Sequence, residues 1–104
     1  MKISVTQREI DDALAWWRYV RQVSEQDAEE GWPRFCPIAR AARNAGLCGV
    51  LVENNQLRCE IAEQPMWTML PKAAVTFIHD MDTAAIFSDD ALAAPIPTPF
   101  SFEI

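Results

Sequence analysis

Cys48-Gly49-Val50-Leu51-Val52-Glu53-Asn54-Asn55-Gln56-Leu57-Arg58-Cys59-Glu60-Ile61-Ala62 is the stretch that decides the fold. Two β-rich runs, Cys48 to Glu53 and Gln56 to Ala62, flank an Asn-Asn pair. Asparagine tolerates the positive φ that a two-residue hairpin turn demands. Folding about Asn54-Asn55 sets Val52 opposite Leu57, Val50 opposite Cys59 and Cys48 opposite Ile61, all apolar and all on one face. Leu51 with Arg58, and Gly49 with Glu60, fall on the other. A slip of one residue would turn the charged set inward, so the register is well specified. A hairpin with one apolar face needs a cover, and the sequence on either side supplies helices.

Upstream, Cys36-Pro37 opens a helix, since proline is favoured at the first helical position. Ile38, Ala41, Ala42 and Ala45 form its inward face, Arg40 and Arg43 point elsewhere, and Gly46 stops it. Before it, an acidic stretch of Glu25, Asp27, Glu29 and Glu30 ends at Gly31-Trp32-Pro33, which reads as a loop. Gln7 to about Ser24 is the main core helix. Thr6 and Glu9 supply a capping box at its start. Ile10, Ala13, Leu14, Trp17 and Arg21 line one stripe, with Trp16, Val20 and Val23 on an adjoining one. Lys2 to Val5 reads as a short strand. Downstream, Glu63 to Met69 is a connection containing Pro65 and Trp67. Pro71 opens a third helix to about Thr83, with Ala74, Phe77, Ile78 and Met81 inward. Ser88-Asp89-Asp90 and the spaced Pro95, Pro97 and Pro99 form an extended tail. Phe100, Phe102 and Ile104 alternate with Ser101 and Glu103 in a final half-buried strand, expected to pair with the N-terminal strand or the hairpin. Together these predict one α+β domain over residues 1–104. About three helices lie on a small mixed or antiparallel sheet of about four strands: the N-terminal strand, the central hairpin and the C-terminal strand.

The composition is that of a folded domain, with half the 104 residues hydrophobic and 23% charged. No apolar run is long enough to span a bilayer, and Met1 to Ile10 has none of the apolar core of a signal peptide. Cys36, Cys48 and Cys59 are odd in number and match no CxxC spacing, which suggests free thiols in a reducing compartment. The net charge of −6 is unevenly placed. Acids and bases balance through residue 52. Beyond it, eight acids face only Arg58 and Lys72. Such a chain is repelled by nucleic acid and anionic membrane and attracted to basic protein surfaces.

Catalytic constellations are thin. His79 and Asp82, three apart on one helix, suit a base-and-orienter pair or half a metal site, but no further ligand stands at a recognisable spacing, and an exposed histidine in an acidic turn is the plainer reading. Cys36 at a helix N-terminus is the best nucleophile candidate, because free N–H groups lower a thiol's pKa. Its plainer role is a capping or buried thiol. Cys48 and Cys59 lie diagonally across the hairpin, too far apart to bridge, and read as small core residues. The carboxylate pairs Asp11-Asp12, Glu29-Glu30, Asp80/Asp82 and Asp89-Asp90 lack the contrasting environments of acid–base catalysis. Trp16 and Trp17 diverge by about 100° on their helix, so one of them, or Tyr19 or Trp32, is available as an interface anchor if not absorbed by the core. Aromatic platforms for nucleic acid sit among basic residues, and only Arg34, Arg40 and Arg43 cluster here.

Cys36-Pro37-Ile38-Ala39-Arg40-Ala41, a CPIAxA helix start, and the terminal Pro99-Phe100-Ser101-Phe102-Glu103-Ile104, a PFxFEI ending, resemble those of a group of small uncharacterised phage and prophage proteins. Ile3-Ser4-Val5-Thr6-Gln7 and the Leu70-Pro71 helix start also fit. Relatives in that group often carry a second cysteine just before the Cys-Pro pair. Arg34 and Phe35 stand there in this chain, which removes a metal reading based on such a pair. The resemblance implies a phage or mobile-element origin. With the acidic surface it gives the leading expectation: a non-enzymatic binding protein, without cofactor, that occupies a host protein surface, such as a nucleic-acid-handling defence complex, as anti-CRISPR inhibitors do. The expected contact residues are Glu25, Asp27, Glu29, Glu30, Asp80, Asp82, Asp89 and Asp90. The alternatives are a phage housekeeping or virion accessory protein that self-associates into a homo-oligomer through apolar surface, and a thiol enzyme using Cys36.

Overall fold

A computed structural model describes residues 1–86 and 95–104. It is an α+β fold in the order β1 (Lys2–Val5), α1 (Gln7–Val23), α2 (Glu25–Phe35), α3 (Pro37–Asn44), β2 (Cys48–Glu53), β3 (Gln56–Ile61), β4 (Gln64–Met69), α4 (Lys72–Ile86) and β5 (Phe100–Glu103). The strands form two sheets rather than one. β1 pairs antiparallel with β5, with Ile3 opposite Phe102, and β2-β3-β4 form an antiparallel meander. The expected pairing of the two terminal strands is present, but they do not join the hairpin. Among the described residues no helix is long and apolar enough to cross a membrane. The expected extended stretch at Ser88-Asp89-Asp90 lies outside the described residues.

α1 begins as its capping box requires. The Thr6 N–H donates to Glu9 Oε2 at 3.0 Å, and the Thr6 hydroxyl donates to the same oxygen. Asn44 Nδ2 donates to Glu9 Oε1 at 3.1 Å, so a buried carboxylate ties the start of α1 to the end of α3. Burial pushes the Glu9 carboxyl up, but the hydrogen bonds from Thr6 and Asn44 outweigh it and hold the pKa below its usual value. Ile10, Ala13, Leu14 and Trp17 point inward as the stripe predicts, whereas Val23, at the end of α1, is exposed. Ile10, Leu14 and Trp17 meet Ile3 and Val5 of β1, Ile38, Ala39, Ala41 and Ala42 of α3, and Val50, Val52, Leu57 and Cys59 of the hairpin in one core. Ala45 falls past the last turn of α3 and is exposed.

Two stretches read as irregular are regular. The acidic stretch and Gly31-Trp32-Pro33 belong to α2. Ser24 ends α1 and caps α2, accepting a hydrogen bond from the Asp27 N–H at 3.2 Å, and Glu25 and Asp27 complement the helix dipole in the first turn. Gly31 is inside the helix because Trp16 leaves no room for more: a Cβ there would stand 2.6 Å from Trp16 Cη2. Glu63 to Met69 is not a loop either. Gln64 to Met69 pair with β3, from Ile61–Gln64 to Gln56–Met69, after a turn in which Ala62 and Glu63 hold φ of 51° and 64°. Nothing in Ala-Glu signals such a turn, and Pro65 argues against a strand.

The hairpin register is as expected at its tip, with Val52 opposite Leu57 and Leu51 opposite Arg58. It shifts further out. A bulge at Gly49, φ +59°, sets Cys48 opposite Glu60 instead of Ile61, and both Cys48 and Ile61 are exposed rather than on the core face.

Replacing glycine by alanine inside a helix ordinarily stabilises by about 0.5–1 kcal/mol. Gly31→Ala should do the reverse. Trp16 is held between Trp32 and Phe35, with centroids at 6.5 and 4.8 Å, and its ring has nowhere easy to go. Urea denaturation should show a loss of about 1–3 kcal/mol, as for other overpacked sites.

Candidate functional site

Three helices converge on a groove of about 390 Å³ lined by Trp17 and Arg21 of α1, Glu25, Glu29 and Trp32 of α2, and Asp82 and Ala85 of α4. The spacings explain the convergence. Trp17 and Arg21 are one turn apart, and Glu25, Glu29 and Trp32 repeat at four and three, so each set occupies one helical stripe. Trp32 is the pivot. Its Nε1–H donates to Asp82 Oδ1 at 2.7 Å, joining α2 to α4, and its ring meets Trp17 edge-on at 5.3 Å. Trp17 is buried, and among the described residues its own indole N–H has no hydrogen-bond partner. Burial raises the pKa of Asp82, while the Trp32 hydrogen bond and His79 pull it down; the net shift is upward.

Trp32 and Asp82 also wall a second cavity of about 500 Å³, whose other side is made by Cys36, Pro37, Val52, Asn54, Ile78 and His79. Cys36 caps α3 but is buried, and desolvation pushes its thiol up to about 11, overriding the pull of the Ala39 and Ile38 N–H groups. Cys36 is thus the buried thiol of the plainer reading, and its burial opposes the thiolate that a nucleophile would need. Cys59 is buried and Cys48 exposed, so only the former is a core residue.

The predicted acidic residues separate. Glu25, Glu29 and Asp82 share the groove. Asp27 and Glu30 do not line it: Asp27 is exposed at the cap, and Glu30 accepts from Gln26 Nε2 at 2.9 Å. Asp80 lines a separate shallow depression with Lys72 and Phe100. Asp89 and Asp90 lie outside the described residues. His79 is exposed, with Nδ1 3.6 Å from Asp80 Oδ1. Among the described residues no three His, Cys, Asp or Glu side chains group as metal ligands.

Arginines gather elsewhere. Arg40 and Arg43 stand 5.8 and 5.6 Å from the centroid of the Phe35 ring, and Arg34, Arg43 and Arg58 line a concavity beside it. Among the described residues no carboxylate forms an ion pair with Arg34, Arg40 or Arg43. Desolvation lowers the pKa of Arg43, and the neighbouring Arg40 adds to the shift. These arginines do not pair with the groove carboxylates, and the cation beside Glu25 and Glu29 is Arg21, which lines the groove itself. The aromatic and basic lining of the groove, Trp17, Trp32 and Arg21, could be grouped with its acids only once Glu25 to Phe35 was read as a helix.

Two measurements check this geometry. Because Asp82 has a raised folded pKa, the folded state holds its proton more tightly. Its contribution to stability is fully present at low pH and is lost as pH rises from the usual aspartate value through the folded one. Tryptophan emission should follow this proton with a midpoint above the ordinary aspartate range, and Asp82→Asn should abolish the transition. Iodoacetamide at mildly alkaline pH should modify Cys48 first by mass spectrometry, with Cys36 and Cys59 protected until denaturant is added. In comparison with known proteins, no family model, no curated protein and no solved structure matches the chain.

Proposed function

We propose that this chain is a non-enzymatic binding protein of phage or mobile-element origin that docks on a basic host protein surface, such as the nucleic-acid groove of a defence complex, in the manner of an anti-CRISPR inhibitor. The observation that carries this reading is the groove itself, where carboxylates from two helices meet two indoles. An arginine or lysine side chain entering it would donate charge-assisted hydrogen bonds to Glu25 and Glu29 and meet a cation–π surface on Trp32. The surplus negative charge beyond residue 52 supports the reading, as does the spatial separation of the groove from the arginines at Phe35. The helix-start and C-terminal motifs support the origin. A neutral Cys36 supports binding over thiol chemistry.

Titrating the protein with an arginine-rich peptide, and with a glutamate-rich peptide of equal length, tests the reading through tryptophan fluorescence. The basic peptide should bind, more weakly as salt rises, and Glu25→Lys with Glu29→Lys should weaken it by about tenfold or more, the scale expected when interfacial charge pairs become repulsive. Equal binding of both peptides, or indifference to the double reversal, would refute it.

A further inference from the structure

We propose that β4 is a self-pairing strand: two copies of this chain join antiparallel along it, across a two-fold axis at Trp67, and their three-stranded sheets become one continuous sheet. The proposal does not rest on the groove reading and stands or falls separately.

β4 is an edge of its sheet. Among the described residues it pairs with β3 alone, and no helix makes more than marginal contact with it. Met66, Trp67 and Met69 are 50%, 49% and 61% exposed, and Ile61 at the adjoining end of β3 is 56% exposed. The outward hydrogen-bonding groups follow from the ladder. The Leu70 N–H donates to Asn55 O at 2.8 Å, so Leu70 turns toward β3. Alternation then turns Thr68, Met66 and Gln64 the same way and leaves Pro65, Trp67 and Met69 facing out. The N–H groups on the open edge are thus those of Trp67 and Met69. Pro65, which has none, sits where β3 asks for no donor.

A second copy matches this edge better than an unrelated strand does. When β4 is laid antiparallel on itself with Pro65 to Met69 fully overlapped, Trp67 exchanges both backbone bonds with its own counterpart, and each Met69 N–H meets a Pro65 carbonyl. Every outward donor is then satisfied, and proline is asked only to accept. Edge strands are normally guarded by charge, yet Gln64 to Pro71 contains none in a chain of net charge −6. The nearest charges are Glu63 before it and Lys72 after it, and neither has an ion-pair partner among the described residues of its own chain. Antiparallel self-pairing brings the Glu63 end of one copy to the Lys72 end of the other, so opposite charges meet at both ends. A strand with the acidic bias of this chain's second half would not be matched this way.

Light scattering during size exclusion, run on the full chain across a wide micromolar range, tests the proposal. The wild type should show concentration-dependent dimers that persist at high salt. Trp67→Lys sets like charges face to face on the axis, and Met69→Pro deletes an outward N–H that the single chain does not use. Each should raise the dimer dissociation constant at least tenfold with far-UV circular dichroism unchanged. Should Trp67→Lys lose its fold, Met69→Pro decides. A wild type that is monomeric throughout overturns the proposal, as does a dimer indifferent to the decisive variant. A dimer that salt dissolves and Trp67→Lys spares also overturns it, since the contact would then join the acidic helix to the arginine patch.

Discussion

The hydrogen bond from Trp32 to Asp82 ties the walls of the candidate groove together. It spans fifty residues of sequence and fixes α4 against α2 at the point where two cavities share a wall. The rest of the aromatic arrangement leans on the same ring. Trp17 presents its edge to it, and Trp16 stacks between it and Phe35. An indole donor facing a half-buried carboxylate keeps Asp82 close to the groove lining at the cost of desolvating it, and the upward pKa of that group reflects the balance.

Charge in this chain is only partly sorted: each concavity is dominated by one sign but holds a residue of the other, Arg21 among the acids and Glu60 among the arginines. Guanidiniums crowd around Phe35, close enough that Arg40 disfavours the charge on Arg43, while Glu25, Glu29 and Asp82 look into a different concavity. A chain under pressure only for solubility would intersperse the two signs.

The parts of the fold legible in the sequence are those whose signals are local. Thr6 and Glu9 specify the start of α1, Pro37 and Gly46 bracket α3, and Asn54-Asn55 sets the hairpin tip. What escaped is governed by neighbours. Gly31 and Pro33 say loop, but the ring of Trp16 and the Ser24 cap hold them in a helix. Ala62 and Glu63 adopt left-handed angles that neither favours, because pairing along all of β4 outweighs the local cost. Gly49 was placed as an ordinary strand residue, and its positive φ displaced Cys48 and Ile61 from the core. The acidic residues of the site were visible as charges. Their division between groove and open surface was not, because it depends on the helical phase of α2.

That phase is set by an unusually abrupt joint. Ser24 is at once the C-cap of one helix and the N-cap of the next, so it alone separates α1 from α2. A single residue gained or lost there would rotate α2 by about 100° and carry Glu25, Glu29 and Trp32 off the groove together. The length of this joint is therefore as much a part of the groove as the residues that line it.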